Sequence, residues 1–340
     1  MKKKSLITLT STVFAIGLLT ASLTGCNTNP LGGSSGNSAY THRVILVSDM
    51  HYTVQESPEE IKEIEPSALP SDASGDTFGY SQEEKLESIM DDIAAFHEEE
   101  NIEAVFVLGD LSLDDYGYRN LPDNYLLKFK EDFLDELPYP WYALAGNHDS
   151  YPNEEWKSIM GTDRQYSVKI GDAVFIMLDT FAAETATGAS GSAYDGVDVA
   201  FLKAELEKYP TETIYLCSHY YNPNKIDVGL SRVIKENDRI VCMFRGHTHK
   251  NEALAPESLN YKPLFDIGAY AYNGDDSSGA WDFSQFDDDW AWGYTVLEWN
   301  ETEAHVYHVK PPRTYNASNG IFRFVGCIED ELFIEINKGE

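Results

Sequence analysis

Positively charged residues are scarce in this chain. Of its 340 residues, 25 are Lys or Arg and 57 are Asp or Glu, which gives a formal net charge of −32. A surface that acidic repels polyanions, so we do not expect nucleic acid as a partner. Disorder is excluded for most of the chain, because hydrophobic residues make up 42% of it and aromatic residues 13%. The chain is long enough to bury a large core.

Cysteine is also rare, with four residues and no Cys-x-x-Cys pair. Cys217 and Cys242 fall inside apolar runs that are typical of core strands. At such positions a thiol usually behaves as a small hydrophobic side chain. We therefore expect neither a disulfide framework nor a structural zinc site.

A long uncharged stretch occurs only near the N-terminus. It runs from Leu6 to Leu23 behind three lysines, which is the pattern of an export signal. A transmembrane anchor is the alternative, but polar residues interrupt the end of the stretch and no basic residue follows it. The stretch ends in Leu23-Thr24-Gly25-Cys26, which resembles a bacterial lipobox.

The lipobox predicts how the N-terminus is processed. Residues 1–25 would be a lipoprotein signal peptide, and Cys26 would be the lipidated first residue of the mature protein. Residues 26–40 are rich in Gly, Ser and Asn, which predicts a flexible tether. The expected location is extracytoplasmic, anchored to the bacterial cell membrane through the lipid on Cys26.

Apolar runs that end in metal-ligating side chains are the most informative feature present. Five of them end, in chain order, in Asp49 and His51, in Asp110, in Asn147-His148-Asp149, in His219, and in His247 and His249. In open α/β sheets, ligand sites lie beyond the carboxyl ends of the strands. Five strands that end this way therefore predict one shared site.

These blocks read D-x-H, G-D, G-N-H-D, a lone H and G-H-x-H, in that order. The ordered set resembles the calcineurin-like metallophosphoesterase family. The resemblance implies an α/β (α+β) fold, a four-layer αββα sandwich in which two mixed β-sheets pack face to face with flanking helices. It also implies a dinuclear, metal-dependent phosphoester hydrolase.

The resemblance further implies a role for each site residue. Asp110 would bridge two metal ions, and a hydroxide shared by the ions would attack phosphorus. His148 would protonate the leaving alkoxide or stabilise phosphoryl charge, with Asp149 orienting its ring. The remaining ligands would divide into Asp49, His51 and His249 at one metal ion and Asn147, His219 and His247 at the other.

The choice of metal and substrate stays open at this point. Mixed nitrogen and oxygen ligands suit Fe, Mn and Zn. Purple acid phosphatases have a tyrosine three residues after the bridging aspartate, whereas Leu113 stands there in this chain. A phosphodiesterase acting on small phosphoesters is the expected function. The alternatives are a phosphomonoesterase, such as a broad phosphatase or nucleotidase, and a non-catalytic surface lipoprotein that binds a partner.

Local patterns predict the domain limits and the secondary structure. Alternating strands and helices followed by strands alone predict a metallophosphoesterase domain over residues 41–312, with 313–340 as a C-terminal extension, and we expect a monomer. Helices are predicted over 81–100, 123–137 and 197–208, and a hairpin turn at Gly171-Asp172.

Other residues carry weaker expectations. The acidic, Trp-rich stretch 275–292 is expected to be a solvated surface loop, with a lid over the site or a calcium loop as the alternative. Arg245 is expected either to pair with a carboxylate or to touch substrate. Tyr52, Tyr220 and Tyr221 adjoin predicted ligands and are candidates for pocket walls.

Overall fold

The computed structural model describes residues 40–52, 89–96, 101–112, 125–181, 193–222, 228–254, 262–270, 293–310, 313–317, 320–324 and 327–336. The predicted signal peptide, Cys26, the tether up to residue 39, Leu113 and the stretch 275–292 lie outside these residues. Within the described ranges, no helix has the length and apolar character needed to cross a membrane.

The first sheet has six strands in the order β14-β11-β10-β1-β2-β3. Strands β1, β2 and β3 are parallel, and β10, β11 and β14 extend the sheet in antiparallel fashion. Every residue of β2 is buried, as expected for a strand covered on both faces. The strand bounds are β1 (His42–Val47), β2 (Ala104–Leu108), β3 (Trp141–Leu144), β10 (Tyr294–Trp299), β11 (Glu303–Lys310) and β14 (Cys327–Glu335).

The second sheet also has six strands, in the order β4-β5-β6-β7-β9-β8. Its central strands are parallel, and β4 and β8 are antiparallel edge strands. The predicted Gly171-Asp172 turn is confirmed, because β4 and β5 form an antiparallel pair around it. The bounds are β4 (Tyr166–Ile170), β5 (Ala173–Leu178), β6 (Thr213–Ser218), β7 (Ile240–Arg245), β8 (Asn251–Leu254) and β9 (Leu264–Ile267).

The two sheets pack face to face through aromatic and aliphatic side chains. Phe106 of the first sheet stacks on Phe175 of the second with ring centroids 4.4 Å apart. Trp299 meets Phe175 edge to face at 5.7 Å. Both sheets contribute fully buried side chains to this inner core, which therefore holds the sandwich together.

Helices cover both outer faces, which completes the four layers. Ile45 and Val47 of β1 belong to one cluster with Ile93 and Phe129 of the helices over the first sheet. Val174 of β5 packs in another cluster with helical residues over the second sheet. The predicted αββα sandwich is confirmed. The helices are α1 (89–96), α2 (Tyr125–Phe129), which continues as a π-helical turn over Lys130–Leu134, α3 (Asn153–Met160), α4 (Val199–Lys208) and α5 (Val228–Glu236).

The C-terminal strands add to what the sequence predicted. Strand β14 pairs with β11 along the edge of the first sheet, from Glu303 opposite Glu335 to Lys310 opposite Cys327. Strands β12 (Arg313–Ala317) and β13 (Gly320–Phe324) form a separate two-stranded sheet. The division at residue 312 into a domain and an extension stays a prediction.

Candidate metal centre

The parallel strands of both sheets end at one edge of the sandwich, and the predicted ligands lie there. Five of these residues have a left-handed backbone, with φ of 56° at Asp49, 47° at His51, 51° at Asp110, 66° at His247 and 52° at His249. A non-glycine residue adopts this conformation at a cost of about 1–3 kcal/mol, and such residues cluster at functional sites. The sharp turns that follow the strands bring these side chains together.

Two motif glycines are required by the close approach of ligands from other strands. A Cβ atom on Gly109, which has φ of +90°, would lie 2.5 Å from Nδ1 of His219. A Cβ atom on Gly246 would lie 2.6 Å from Oδ2 of Asp49 and would collide with Ser48. The glycines of the G-D and G-H-x-H blocks therefore leave room for ligands supplied by other blocks.

One group of metal-ligating atoms consists of Asp49, His51 and His249, which we call triad A. Nε2 of His249 lies 3.1 Å from Oδ1 of Asp49, and Nε2 of His51 lies 3.6 Å from the same oxygen. Asp49 and His51 are buried, whereas His249 is partly exposed. Solvent therefore reaches triad A from the His249 side.

A second group consists of Asp110, His219 and His247, which we call triad B. Nε2 of His219 lies 3.1 Å from both Oδ2 of Asp110 and Oδ1 of Asn147. Nδ1 of His247 lies 2.8 Å from the same Asn147 oxygen. The Asn147 amide is therefore close enough to join triad B as a fourth ligand.

Asp110 belongs to triad B and also faces triad A. Its Oδ2 atom is 3.7 Å from Nε2 of His51 as well as 3.1 Å from Nε2 of His219. Asp110, His51 and His148 also form a third group whose ligand atoms lie within 4.8 Å of one another. A carboxylate in this position can be shared by two ions.

Backbone groups fix the orientation of these side chains. Nδ1 of His219 donates a hydrogen bond to the carbonyl of Leu108 at 2.7 Å, which directs Nε2 toward Asp110. The backbone N–H of His148 donates to Oδ1 of Asp110 at 2.8 Å. The backbone N–H of His247 donates to Oδ2 of Asp49 at 2.9 Å. Each carboxylate thus keeps one oxygen for a hydrogen bond and presents the other to the imidazoles.

The carboxylates and imidazoles of the site shift one another's pKa. Burial alone would raise the pKa of Asp49 and Asp110, but the surrounding imidazoles hold both well below the usual range. Burial lowers the pKa of His51 to about 4. Burial also disfavours charge on His219, yet the carboxylates of Asp110 and Asp49 raise its pKa to about 9. The carboxylates are therefore ionised and ready to bind a cation.

Asp149 accepts hydrogen bonds from the backbone of two turns. Burial, with the nearby charge of Asp110, raises its pKa to about 7. Its oxygens accept hydrogen bonds from the backbone N–H groups of Gly146 at 2.8 Å, Leu111 at 3.1 Å and Ser112 at 3.2 Å. These bonds join the turn after β3 to the turn after β2. Orientation of the His148 ring by Asp149 stays a prediction.

Arg164 has a positioning role that the sequence did not reveal. Its guanidinium donates to the carbonyls of Asp149 and Tyr151, each at 2.8 Å, and its Nε donates to Oδ2 of Asp179 at 2.7 Å. Arg164 thus ties the turn after β3 to the end of β5 in the other sheet. Only the tertiary fold brings these partners together, because they are 13 to 15 positions away in the chain.

Arg245 and the three candidate tyrosines differ in their contacts with the site. Arg245 pairs with the Asp266 carboxylate and donates to the carbonyl of Tyr221 at 2.8 Å, so it takes the first of its two expected roles. Tyr52 packs on Phe129 in the core over the first sheet, and Tyr221 is fully buried. Only Tyr220 adjoins the site, with its ring centroid 4.4 Å from that of His247.

The donor set of the two triads fits divalent metal ions. Imidazole nitrogens and carboxylate oxygens, together with one amide oxygen, are ligands that Zn, Mn and Fe accept. Two carboxylates held in the ionised state supply the charge that a cation requires. The residues are thus arranged as a metal-binding site.

Comparison with known proteins agrees with this geometry. A family model described as calcineurin-like phosphoesterase matches residues 42–251, which include every predicted ligand. The chain belongs to this family. It is therefore a metallophosphoesterase, a hydrolase that acts on phosphoester bonds. Among curated proteins, none is similar enough to match.

Two solved structures are similar to this chain at low sequence identity. A dimetal phosphatase from Danio rerio is 12% identical, and the alignment covers 88% of this chain and 100% of that one with a TM-score of 0.55. GAP50 of Plasmodium is 12% identical, covering 79% of this chain and 84% of that one with a TM-score of 0.46. The first of these likenesses supports the calcineurin-like fold.

Proposed function

We propose that this metallophosphoesterase is a phosphodiesterase for small phosphoesters that works with two metal ions. The observation that carries the proposal is the meeting of two metal-ligating triads at one carboxylate, Asp110. Two ions of Fe, Mn or Zn would polarise the phosphoryl oxygens and supply a nucleophile at neutral pH. Triad A would hold one ion, triad B with Asn147 the other, and Asp110 both.

His148 is the residue we assign as proton donor. Its ring lies edge to face against His51 with centroids 5.1 Å apart, and its backbone N–H is fixed by Asp110. This position, at the border of triad A, suits an imidazole nitrogen that protonates the oxygen of the leaving alcohol. Such a donor is worth about 10²–10⁴-fold in rate.

The preference for diesters is supported by two arginines near the site, Arg164 and Arg245, whose guanidinium groups are both paired with carboxylates. Arg164 is paired with Asp179 and Arg245 with Asp266. Neither guanidinium is available to bind the second negative charge of a phosphomonoester dianion. A diester carries a single negative charge at neutral pH, which fits a site where Arg164 and Arg245, among the described residues, are already paired.

The test begins with metal-free protein reconstituted separately with Fe, Mn and Zn. We expect two equivalents of metal to bind, measured by elemental analysis. We also expect a higher kcat/KM on bis(p-nitrophenyl) phosphate than on p-nitrophenyl phosphate. The opposite preference would make the chain a phosphomonoesterase, and one bound equivalent would contradict the dinuclear proposal.

We also infer that the protein is a lipoprotein outside the cytoplasm, held to the membrane through Cys26. The lipobox at residues 23–26 motivates this inference. Cys26→Ala should abolish incorporation of a radioactive fatty acid and leave the signal uncleaved. Equal labelling of the variant would remove the inference. A monomer that binds no nucleic acid remains our expectation, to be checked by light scattering and gel shift.

A further inference from the structure

An aromatic wall lies along one side of the metal centre. It consists of Phe181, Tyr194 and Tyr220. Phe181 and Tyr194 are joined by an isolated β-bridge, and their rings meet edge to face at 5.8 Å. The rings of Tyr194 and Tyr220 also meet edge to face at 5.8 Å. The three side chains come from distant parts of the chain, so only the fold creates this surface.

The wall lies beside the two imidazoles of triad B. The ring centroid of Tyr220 is 4.4 Å from that of His247. The centroid of Phe181 is 5.6 Å from that of His219 and 5.7 Å from that of His247. Phe181 is buried beneath the ligands, whereas Tyr194 and Tyr220 are partly exposed. The two tyrosines therefore offer aromatic surface next to the partly exposed His247.

Both tyrosines are held in place. The Arg245 guanidinium lies 5.4 Å from the centroid of the Tyr220 ring, and Arg245 is itself fixed by Asp266. The Tyr194 hydroxyl accepts a hydrogen bond from the backbone N–H of Asn222 at 3.3 Å. Rings that are already immobilised lose little conformational freedom when a ligand packs against them. The wall is thus organised before any ligand arrives.

The proton donor and the aromatic wall contact different imidazoles. His148 contacts His51 of triad A, whereas Tyr220 contacts His247 of triad B. Because the two side chains contact different imidazoles, we take the substituent packed against Tyr220 to be the one whose oxygen His148 does not protonate. In a phosphodiester it is the ester group that stays on phosphorus.

We propose that Tyr220 and Tyr194 determine specificity by binding a flat aromatic ring on the retained ester group, either an aryl group or a nucleobase. This inference rests on the proposed phosphodiesterase function with His148 as acid. The ring would pack offset or edge to face on the wall, as aromatic pairs prefer. The substrate class is thus a small phosphodiester with an aromatic retained group.

The experiment varies only the retained group. Methyl p-nitrophenyl phosphate, bis(p-nitrophenyl) phosphate and thymidine 5′-(p-nitrophenyl) phosphate all release the same p-nitrophenolate. The measured quantity is the kcat/KM of each aromatic diester divided by that of the methyl diester. Tyr220→Leu should lower this ratio by about 3- to 10-fold, from the usual worth of one aromatic pair. The aromatic diester that loses more identifies the ring as aryl or nucleobase.

Further variants separate ring contact from general damage. Tyr220→Phe keeps the ring and should keep the ratio, and Tyr194→Leu should lower it in the same direction. The matched control is Phe333→Leu, because Phe333 is 60% exposed on β14 at the edge of the first sheet. This control should show the wild-type ratio. Binding gives a second readout: Tyr220→Leu should weaken inhibition by phenylphosphonate more than inhibition by methylphosphonate.

The possible failures can be distinguished. An unchanged ratio in Tyr220→Leu, with all three diesters impaired equally, overturns the inference and leaves the proposed function standing. If the metal-loaded wild type hydrolyses none of the diesters, the proposed function fails, and the inference falls with it. An equal fall of the kcat/KM ratio in Phe333→Leu would also overturn the inference.

Discussion

The two sheets supply different chemistry to the same metal centre. The first sheet provides all the oxygen donors, Asp49, Asp110 and Asn147, and also His51. The second sheet provides imidazoles alone, His219, His247 and His249. Negative charge therefore comes from one side of the sandwich and neutral or positive rings from the other. In the structure the two sides meet: Oδ1 of Asp49 lies 3.1 Å from Nε2 of His249, and Oδ2 of Asp110 lies 3.1 Å from Nε2 of His219.

This division means that each triad contains ligands from both sheets. Triad A takes Asp49 and His51 from the first sheet and His249 from the second. Triad B takes Asp110 from the first sheet, and its two imidazoles come from the second. A metal ion bound to either triad would thus connect the sheets at the edge where the strands end. The centre depends on the sandwich, and bound metal should in turn stabilise the sandwich.

The largest effect should come from removing the shared oxygen donor of the first sheet. Asp110→Asn removes a negative charge that both triads use, so metal content should fall at both positions. Activity should fall by at least about 10³-fold, because the metals supply several kcal/mol of transition-state stabilisation. His219→Ala, which removes a donor of the second sheet, should empty mainly one position. Two full equivalents of metal in Asp110→Asn would contradict the bridging role.

A smaller loss is expected when the first sheet loses its proton donor but keeps its ligands. His148→Asn should leave metal content and fold intact and lower turnover by about 10²–10⁴-fold. The loss should depend on the leaving group, because an alkoxide needs the proton and p-nitrophenolate does not. Alkyl esters should therefore suffer more than nitrophenyl esters at matched pH.

The alternatives for His148 give different results in the same assays. Equal impairment on both kinds of ester would mean that His148 stabilises charge on the phosphoryl group. Loss of metal would make it a ligand, and full activity would make it structural. The matched control is His308→Asn, since His308 is a buried histidine in β11 whose Nδ1 lies 3.3 Å from Oγ1 of Thr295.

The sequence predicted the fold and the gathering of the Asp, Asn and His side chains at one edge, because strand ends carry strong local signals. An apolar run followed by Gly-Asp or Gly-Asn-His-Asp marks both a buried strand and the turn after it. Helix α3 was missed because only Trp156 and Met160 of its eight residues are buried, too few to show helical periodicity. Strand β14 was missed because it is an edge strand with the charged sequence IEDE near its start.

Contacts between neighbouring strand ends could not be predicted in the same way. The pairing of Arg164 with Asp179 and the aromatic wall both depend on which strand ends lie side by side. Asp149 shows the same limit, since its partners at residues 111 and 112 lie 38 and 37 positions away. A motif predicts which residue types gather at a site, but the tertiary structure decides which atoms each one contacts.

Metal removal should test whether the centre joins the sheets. A metal ion at a free concentration of 100 Kd stabilises the folded protein by about 2.7 kcal/mol. For a domain of this size, losing that stabilisation on chelation should lower Tm by about 5–10 °C. Hydrogen exchange should speed up at the strand ends of both sheets, since each triad contains ligands from both. Faster exchange in the second sheet alone would contradict the comparison.

The smallest effect should come from Asp149→Asn, which loosens a contact made within the first sheet. The Asp149 carboxylate holds three backbone N–H groups, and an amide oxygen cannot replace both of its oxygens. One buried N–H group should lose its acceptor, which costs about 1–3 kcal/mol in the free energy of unfolding. Because the turns that carry Asp110 and Asn147 would separate, metal affinity should fall by about 10–100-fold.

Asp266→Asn is the matched control, a buried carboxylate of the second sheet that holds Arg245, and it should reduce stability without moving the oxygen donors. Urea unfolding of metal-free protein and metal titration separate the two quantities. If Asp149→Asn were less stable but bound metal as tightly as the wild type, the link between this carboxylate and the oxygen donors of the first sheet would be wrong.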